Sequence, residues 1–315
     1  MDILQEILVF LKSLPGAAAQ GVIWGIMAVG VYITFKVLDV ADLTVDGSFG
    51  TGGAVLVVCV TSGINIWLSL LLAFVAGCAA GLITGLFHTK FGIPAILAGI
   101  LTQLALYSIN LRIMSGKANM PLSSVKYDLL VSLREIPKSL IVGSIFAVAI
   151  IALLYWFFGT EIGHALRATG CNQTMSRANG VNTNIAKITG IVISNGIVAL
   201  SGALLAQYQG FADVSMGRGA IVIGLAAVII GEVVFGKLFH NFALRLLAAV
   251  FGGIIYYFVI TFVLKLGLNA NDLKMLSAFV VALFLGVPYW KSKIAGKQIK
   301  SEKKTEVAEG GAENA

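Results

Sequence analysis

Two stretches of this chain, Leu140–Phe158 and Ile185–Gln207, are hydrophobic nearly all round and close to the length of about 20 residues that crosses a bilayer. A helix in a soluble protein is apolar along one stripe only. Charged residues make up 12% of the chain and hydrophobic residues 58%, with a mean hydropathy of +0.94. Soluble domains carry about 25% charged residues, so the deficit excludes a soluble fold. Glycine points the same way. Most of the 36 glycines lie inside apolar runs, where they would weaken a soluble helix but let helix backbones approach closely in lipid. Gly77, Gly81 and Gly85 make such a ridge. It reads first as packing, with a second copy of the chain as another possible partner.

The expected fold is all-α and polytopic, with about nine transmembrane helices. The spans are expected at Gly16–Val37, Asp39–Val60, Ile66–Phe87, Ile93–Ile113, Lys138–Phe158, Ile185–Gln207, Phe211–Phe235, Asn241–Leu266 and Asp272–Val287. Residues 1–15 read as an amphipathic surface segment that is kept, because Asp2 and Glu6 precede its apolar residues in place of a basic leader. Residues 16–290 form the membrane domain, with a polar loop at 159–184, and residues 291–315 form a basic, then acidic, tail. Much of the net charge of +7 lies between Lys291 and Lys304. A basic segment after a membrane helix is the usual contact with anionic lipid on the cytoplasmic side, so lipid, not nucleic acid, is the expected partner of that charge.

Chemistry is not expected of the chain. Cys59, Cys78 and Cys171 are scattered, as are His88, His164 and His240, and no disulfide or metal spacing connects them. Gly231–Leu238 has the glycine and lysine spacing of a phosphate-binding loop, but Leu238 stands where a magnesium-binding hydroxyl is required. No nucleotide site or cofactor is therefore expected here.

Two spans are irregular. Asp39–Gly50 sets Asp42, Thr44, Asp46, Ser48 and Phe49 beside apolar runs, and Phe211–Gly219 does the same with Asp213, Ser215 and Met216. Non-helical backbone at membrane depth survives only against protein or a watery cavity. Paired interruptions in the two halves of a chain mark transport paths built as inverted repeats. Aligning the interruptions sets spans one to four against six to nine, an inverted repeat. On this reading Asp42, Thr44, Asp46, Ser48, Phe49, Asp213, Ser215 and Met216 line the path, with a half-helix N-terminus offered to a solute carboxylate. The alternative is two ordinary loops with capping residues.

The loop Ala165–Asn182, with Gly170, Asn172, Met175 and the run Gly180-Val181-Asn182, resembles the cytoplasmic loop of the ABC importer permeases for branched-chain amino acids, ribose and nucleosides. Asp42-Leu43-Thr44-Val45-Asp46-Gly47-Ser48-Phe49 is similar to the signature of a branch that works with lipoprotein binding components and is linked to aromatic amino acids. The resemblance implies a permease in the bacterial cytoplasmic membrane, paired with a second permease. It also implies a separate ATPase that holds ATP and magnesium, and an extracellular or lipoprotein solute-binding protein. Thr169, Gly170, Asn172, Met175, Ser176, Gly180, Val181 and Asn182 are then the ATPase-coupling residues, with Thr169 or Asn172 capping a short helix that Gly180 ends. A carrier driven by an ion gradient is the other class; it would want ionisable groups deep in the bundle, and Asp39, Asp42, Asp46, Asp213, Arg218 and Glu232 are the candidates.

Overall fold

The computed structural model describes residues 3–236, 238–239 and 241–265, with isolated positions between 275 and 286. In chain order the elements are α1 (Ile3–Tyr32), continued by a π-helical turn (Ile33–Val37), α2 (Thr44–Thr61), α3 (Ile66–Thr89), α4 (Ala95–Ile113) and β1 (Asn119–Pro121). Then come α5 (Ile136–Phe158), α6 (Glu161–Cys171), α7 (Gln173–Ala178), α8 (Thr183–Gln209), β2 (Phe211–Asp213), α9 (Ala220–Phe235) and α10 (Phe242–Lys265). Among the described residues seven helical segments are long and apolar enough to cross a bilayer, and α9 is a shorter apolar helix. The chain is a multi-pass membrane protein. The segment expected to lie on the surface is continuous with the first span, because α1 runs unbroken through Pro15.

Glycine and serine build the centre. α8 is buried along most of its length, as are α1 and α2, whereas α3, α4 and α5 turn large apolar side chains outward. A Cβ on Gly52 would lie 1.8 Å from the Ala199 carbonyl oxygen, and one on Gly202 would lie 2.0 Å from that of Phe49. α2 and α8 thus pack backbone to backbone. The ridge of Gly77, Gly81 and Gly85 meets Asn195, Ile191 and Ile188 of α8 in the same chain. It is an internal seam and is not free for a second copy. On its other side α8 is tied to α1 by hydroxyls that donate to main-chain carbonyls: Ser194 to Gly30 at 2.8 Å, Ser201 to Ile23 at 2.7 Å and Tyr208 to Gly16 at 3.1 Å. Lipid offers no competing partner for such bonds.

These pairings fix the direction of travel. α1 and α8 are antiparallel, so the end of α1 meets the loop that precedes α8, and a Cβ on Gly170 would lie 1.8 Å from the Val37 oxygen. Lys36–Glu232 at 2.7 Å and Lys187–His88 at 3.3 Å lie at this same end, the α6 face. On the opposite face β1 and β2 form a two-stranded antiparallel sheet, with Met120 opposite Ala212, joining the α4–α5 loop to the chain that follows α8.

Two expectations need correction. Thr44–Gly50 is not a break; it is the regular start of α2, and the non-helical residues are the preceding 38–43. Its polar side chains find partners on neighbouring helices, so they have no need to interrupt their own. The second interruption is real but contains a strand. The two are therefore unlike each other, and the last expected span, Asp272–Val287, and the tail 291–315 lie outside the described residues. The described chain shows seven spans and α9, without a demonstrated inverted repeat.

The backbone contact at Gly52 sets a testable cost. Gly52→Val should lower unfolding stability in detergent by at least about 3 kcal/mol, the upper end of ordinary overpacking. Gly92→Ala, at φ 68° in open space, should cost only about 1–2 kcal/mol through its left-handed backbone. Thermal unfolding of the purified variants compares the two.

Candidate functional site

α9 begins inside the bundle, and its first amide groups need acceptors. Asp46, one turn into α2, supplies them. Its Oδ2 accepts from the Gly219 amide at 2.9 Å and its Oδ1 from the Ile221 amide at 2.8 Å. The negative carboxylate sits at the positive end of α9, where the helix dipole favours it. Gly217 is required for this approach, since a Cβ there would lie 1.9 Å from the Asp46 carbonyl oxygen, and Gly219 holds φ at 84°. The helix N-terminus expected to receive a solute carboxylate is thus occupied by a carboxylate of the protein.

Asp42 does a related task for α2. Its Oδ1 accepts from the Thr44 amide at 2.9 Å, and its Oδ2 accepts from Asn195 Nδ2 at 2.6 Å. Ser48 donates to Asn195 Oδ1 at 2.6 Å. Thr44, Thr84 and Thr102 form a second chain of hydroxyls at 2.7 and 2.8 Å. All six residues are buried. They lock α2, α3, α4 and α8 together. Phe49 is buried behind Trp24, its ring stacked at 4.9 Å. Asp213 Oδ1 accepts from the Ser215 amide at 2.7 Å, so Asp213 shapes the turn and Ser215 does not cap α9. Glu232 is engaged by Lys36. Asp42, Asp46, Asp213 and Glu232, four of the six candidates for an ion-coupled carrier, are thus tied to protein partners.

Beside the start of α9 lies a cavity of about 600 Å³ between α1, α9, α10 and the end of α8. Trp24, Met216 and Gly219 line it, with Gln20, Gln209 and the pair Tyr256-Tyr257. Of the eight residues expected on the path, Met216 alone is among those lining this cavity. The other seven are not among its lining residues. Arg218 also lines the cavity, exposed and without a carboxylate within ion-pair distance among the described residues; its guanidinium lies 5.5 Å from the Tyr107 ring centre. The buried Trp24 Nε1 has no hydrogen-bond partner among the described residues. Sequence reasoning passed over Gln20, Trp24, Gln209, Tyr256 and Tyr257, although the two glutamines carry a signal, since lipid drives polar side chains inward.

On the α6 face the loop folds as two short helices. Asn172 provides the cap, its Oδ1 accepting from Met175 N at 3.0 Å, and Thr169 instead donates to Ala165 O at 2.7 Å. Gly180, at φ 81°, ends α7 as expected. Asn182 caps α8 through the Asn184 and Ile185 amides, each at 3.2 Å. Thr169 and Ser176 are buried and Gly170 is wedged on α1, so these three anchor the loop. Asn172, Met175 and Gly180 are exposed, as is Arg177, while Val181 is half-buried. α7 therefore offers an outward face on a fixed base.

Removing the Asp46 carboxylate should expose the start of α9. Asp46→Ala should destabilise the protein by about 2–3 kcal/mol, the scale of hydrogen bonds to a charged group, and Asp46→Asn, which keeps one acceptor, by less. Chemical denaturation in detergent measures both.

Known proteins add independent findings. Residues 14–288 match the family described as branched-chain amino acid transport system / permease component. The tyrosine transport system permease protein of Clostridioides difficile (strain R20291) is 44% identical over 87% of this chain and 91% of its own length. An uncharacterised protein, RP368, of Rickettsia prowazekii (strain Madrid E) is 33% identical over 85% of this chain and 95% of its own. The ribose import permease protein RbsC of Escherichia coli (strain K12) is 24% identical over 82% and 79%.

Proposed function

Because this chain belongs to the branched-chain amino acid transport system / permease component family, we propose that it forms the translocation path of an ATP-driven importer whose solute is an aromatic amino acid. The observation that carries the solute class is the cavity beside α9. It sets Trp24, Tyr256 and Tyr257 in one wall with Arg218, an exposed cation without a carboxylate within ion-pair distance among the described residues. An aromatic amino acid brings a ring for the first and a carboxylate for the second, whereas a sugar brings no carboxylate. The 44% identical relative named for tyrosine transport supports the same class. Asp42, Thr44, Asp46, Ser48, Phe49, Asp213 and Ser215 serve the path by holding its walls.

The α6 face is cytoplasmic in this reading, and the bacterial cytoplasmic membrane is its location. A separate ATPase docks on the exposed side of α7, at Met175, Arg177 and Gly180, and carries the ATP and magnesium. An extracellular or lipoprotein binding protein delivers solute to the opposite face, and two permease chains work with two ATPase chains. Support for the pairing comes from the family, since the glycine ridge is used internally.

Reconstitution with the ATPase and binding protein tests this. Gly180→Val, forced into left-handed backbone, should lower uptake and transport-stimulated ATP hydrolysis together, with normal amounts of protein in the membrane. Arg218→Gln should raise the KM for tyrosine about tenfold, the loss of one charge-assisted bond. Unchanged tyrosine KM in the Arg218 variant would remove the solute assignment, and normal coupling in the Gly180 variant would remove the docking assignment.

A further inference from the structure

The largest cavity described lies elsewhere. It has a volume of about 870 Å³ and opens on the α6 face between the ends of α1 and α5, α6 and the start of α10. Lys36, His164, Arg167 and Arg245 line it, with no carboxylate among the described lining residues. Glu232, close by, is taken by Lys36 at 2.7 Å. Arg167 is held rigidly: its guanidinium lies 4.3 Å from the Phe242 ring centre and 5.3 Å from that of Phe158, and Nη2 donates to the Phe158 oxygen at 3.0 Å. Its buried Nε has no acceptor among the described residues. An arginine keeps its charge at any ordinary pH, so a fixed, partly unpaired guanidinium in a cationic cavity is suited to an anion.

A second observation says which anion. Trp156 also lines an apolar groove of about 470 Å³ between α3, α5 and α8, in which no charged side chain takes part. From Trp156 the groove follows α5 as far as Phe146, ten residues or about 15 Å along the helix axis. Trp156 is 72% exposed and Tyr155 51%, the amphipathic aromatic pair that favours the headgroup level of a membrane. The cationic chamber and the charge-free groove thus share Trp156 as a common wall, and the groove leads along α5 away from the α6 face. A soluble phosphate would fill the first and have no use for the second.

We propose that the cavity and the groove are one site for a phospholipid with an anionic headgroup, its phosphate held by Arg167 and Arg245 and an acyl chain lying along α5. Lipid retention by the full-length purified protein tests this, read by native mass spectrometry and by thermal unfolding with phosphatidylglycerol, phosphatidylcholine or inorganic phosphate. Phosphatidylglycerol should be retained in preference to phosphatidylcholine and should raise the unfolding temperature. Arg245→Gln should weaken that retention about tenfold. Leu153→Trp, which fills the groove away from the charges, should weaken it too, while both variants unfold normally in phosphatidylcholine. Equal retention of the two lipids, or unchanged retention in both variants, would overturn the proposal. So would protection by inorganic phosphate as strong as that by phosphatidylglycerol, which marks a soluble-anion site.

Discussion

A helix that starts inside a bundle leaves amide groups that need acceptors from the protein, and α9 is such a helix. Its start is possible because α2 places a carboxylate against it, with Asp46 accepting from Gly219 and Ile221. The same bonds address the opposite difficulty, that of a largely enclosed carboxylate, which is costly unless paired or hydrogen-bonded. Each group offsets part of the other's desolvation cost. The rest of the arrangement follows: α2 must lie close to the turn before α9, Gly217 must lack a side chain, and a cavity is left beside the point where the chain re-enters helix.

The close approach of α2 has its own requirement on α8. Gly52 meets Ala199 and Gly202 meets Phe49 through their backbones, while Asn195 collects Asp42 and Ser48. Glycine lets the helices touch, and the buried amide fixes their register. In lipid, apolar contact alone is a poor guide to register, because acyl chains are as good a partner for a leucine as another helix is. Polar bonds at a few points choose one packing among many. Hydroxyl-to-carbonyl bonds from α8 to α1 complete the choice on the other side.

Much of this was legible in the sequence. The spans of α3, α4, α5, α8 and α10 followed from hydropathy to within about two residues, because each satisfies its own backbone and needs no distant partner to exist. The α7 turn was legible for the same reason: Asn172, Gln173–Ala178 and Gly180 are a local unit. What could not be read was which partner a polar residue would find. Asp46 and Ser48 looked like the makings of a break because a sequence shows only chain neighbours, and their partners lie 173 and 147 residues away. β1 and β2, three residues each and 90 positions apart, left no periodicity to detect. The glycine ridge was recognised as a packing face, but its partner, α8, was not.

Asp46 bonds to main-chain amides, and this affects how the site can change over evolutionary time. No side chain at 219–221 has to match the carboxylate, so nothing about the anchor constrains the identity of residue 218. Strict selection should fall on Asp46, Gly217 and Gly219, whose atoms make or permit the junction. Position 218, exposed and pointing no bond back to the anchor, can vary independently. One framework can therefore present an arginine to one solute and a neutral or acidic group to another without rebuilding the helix behind it.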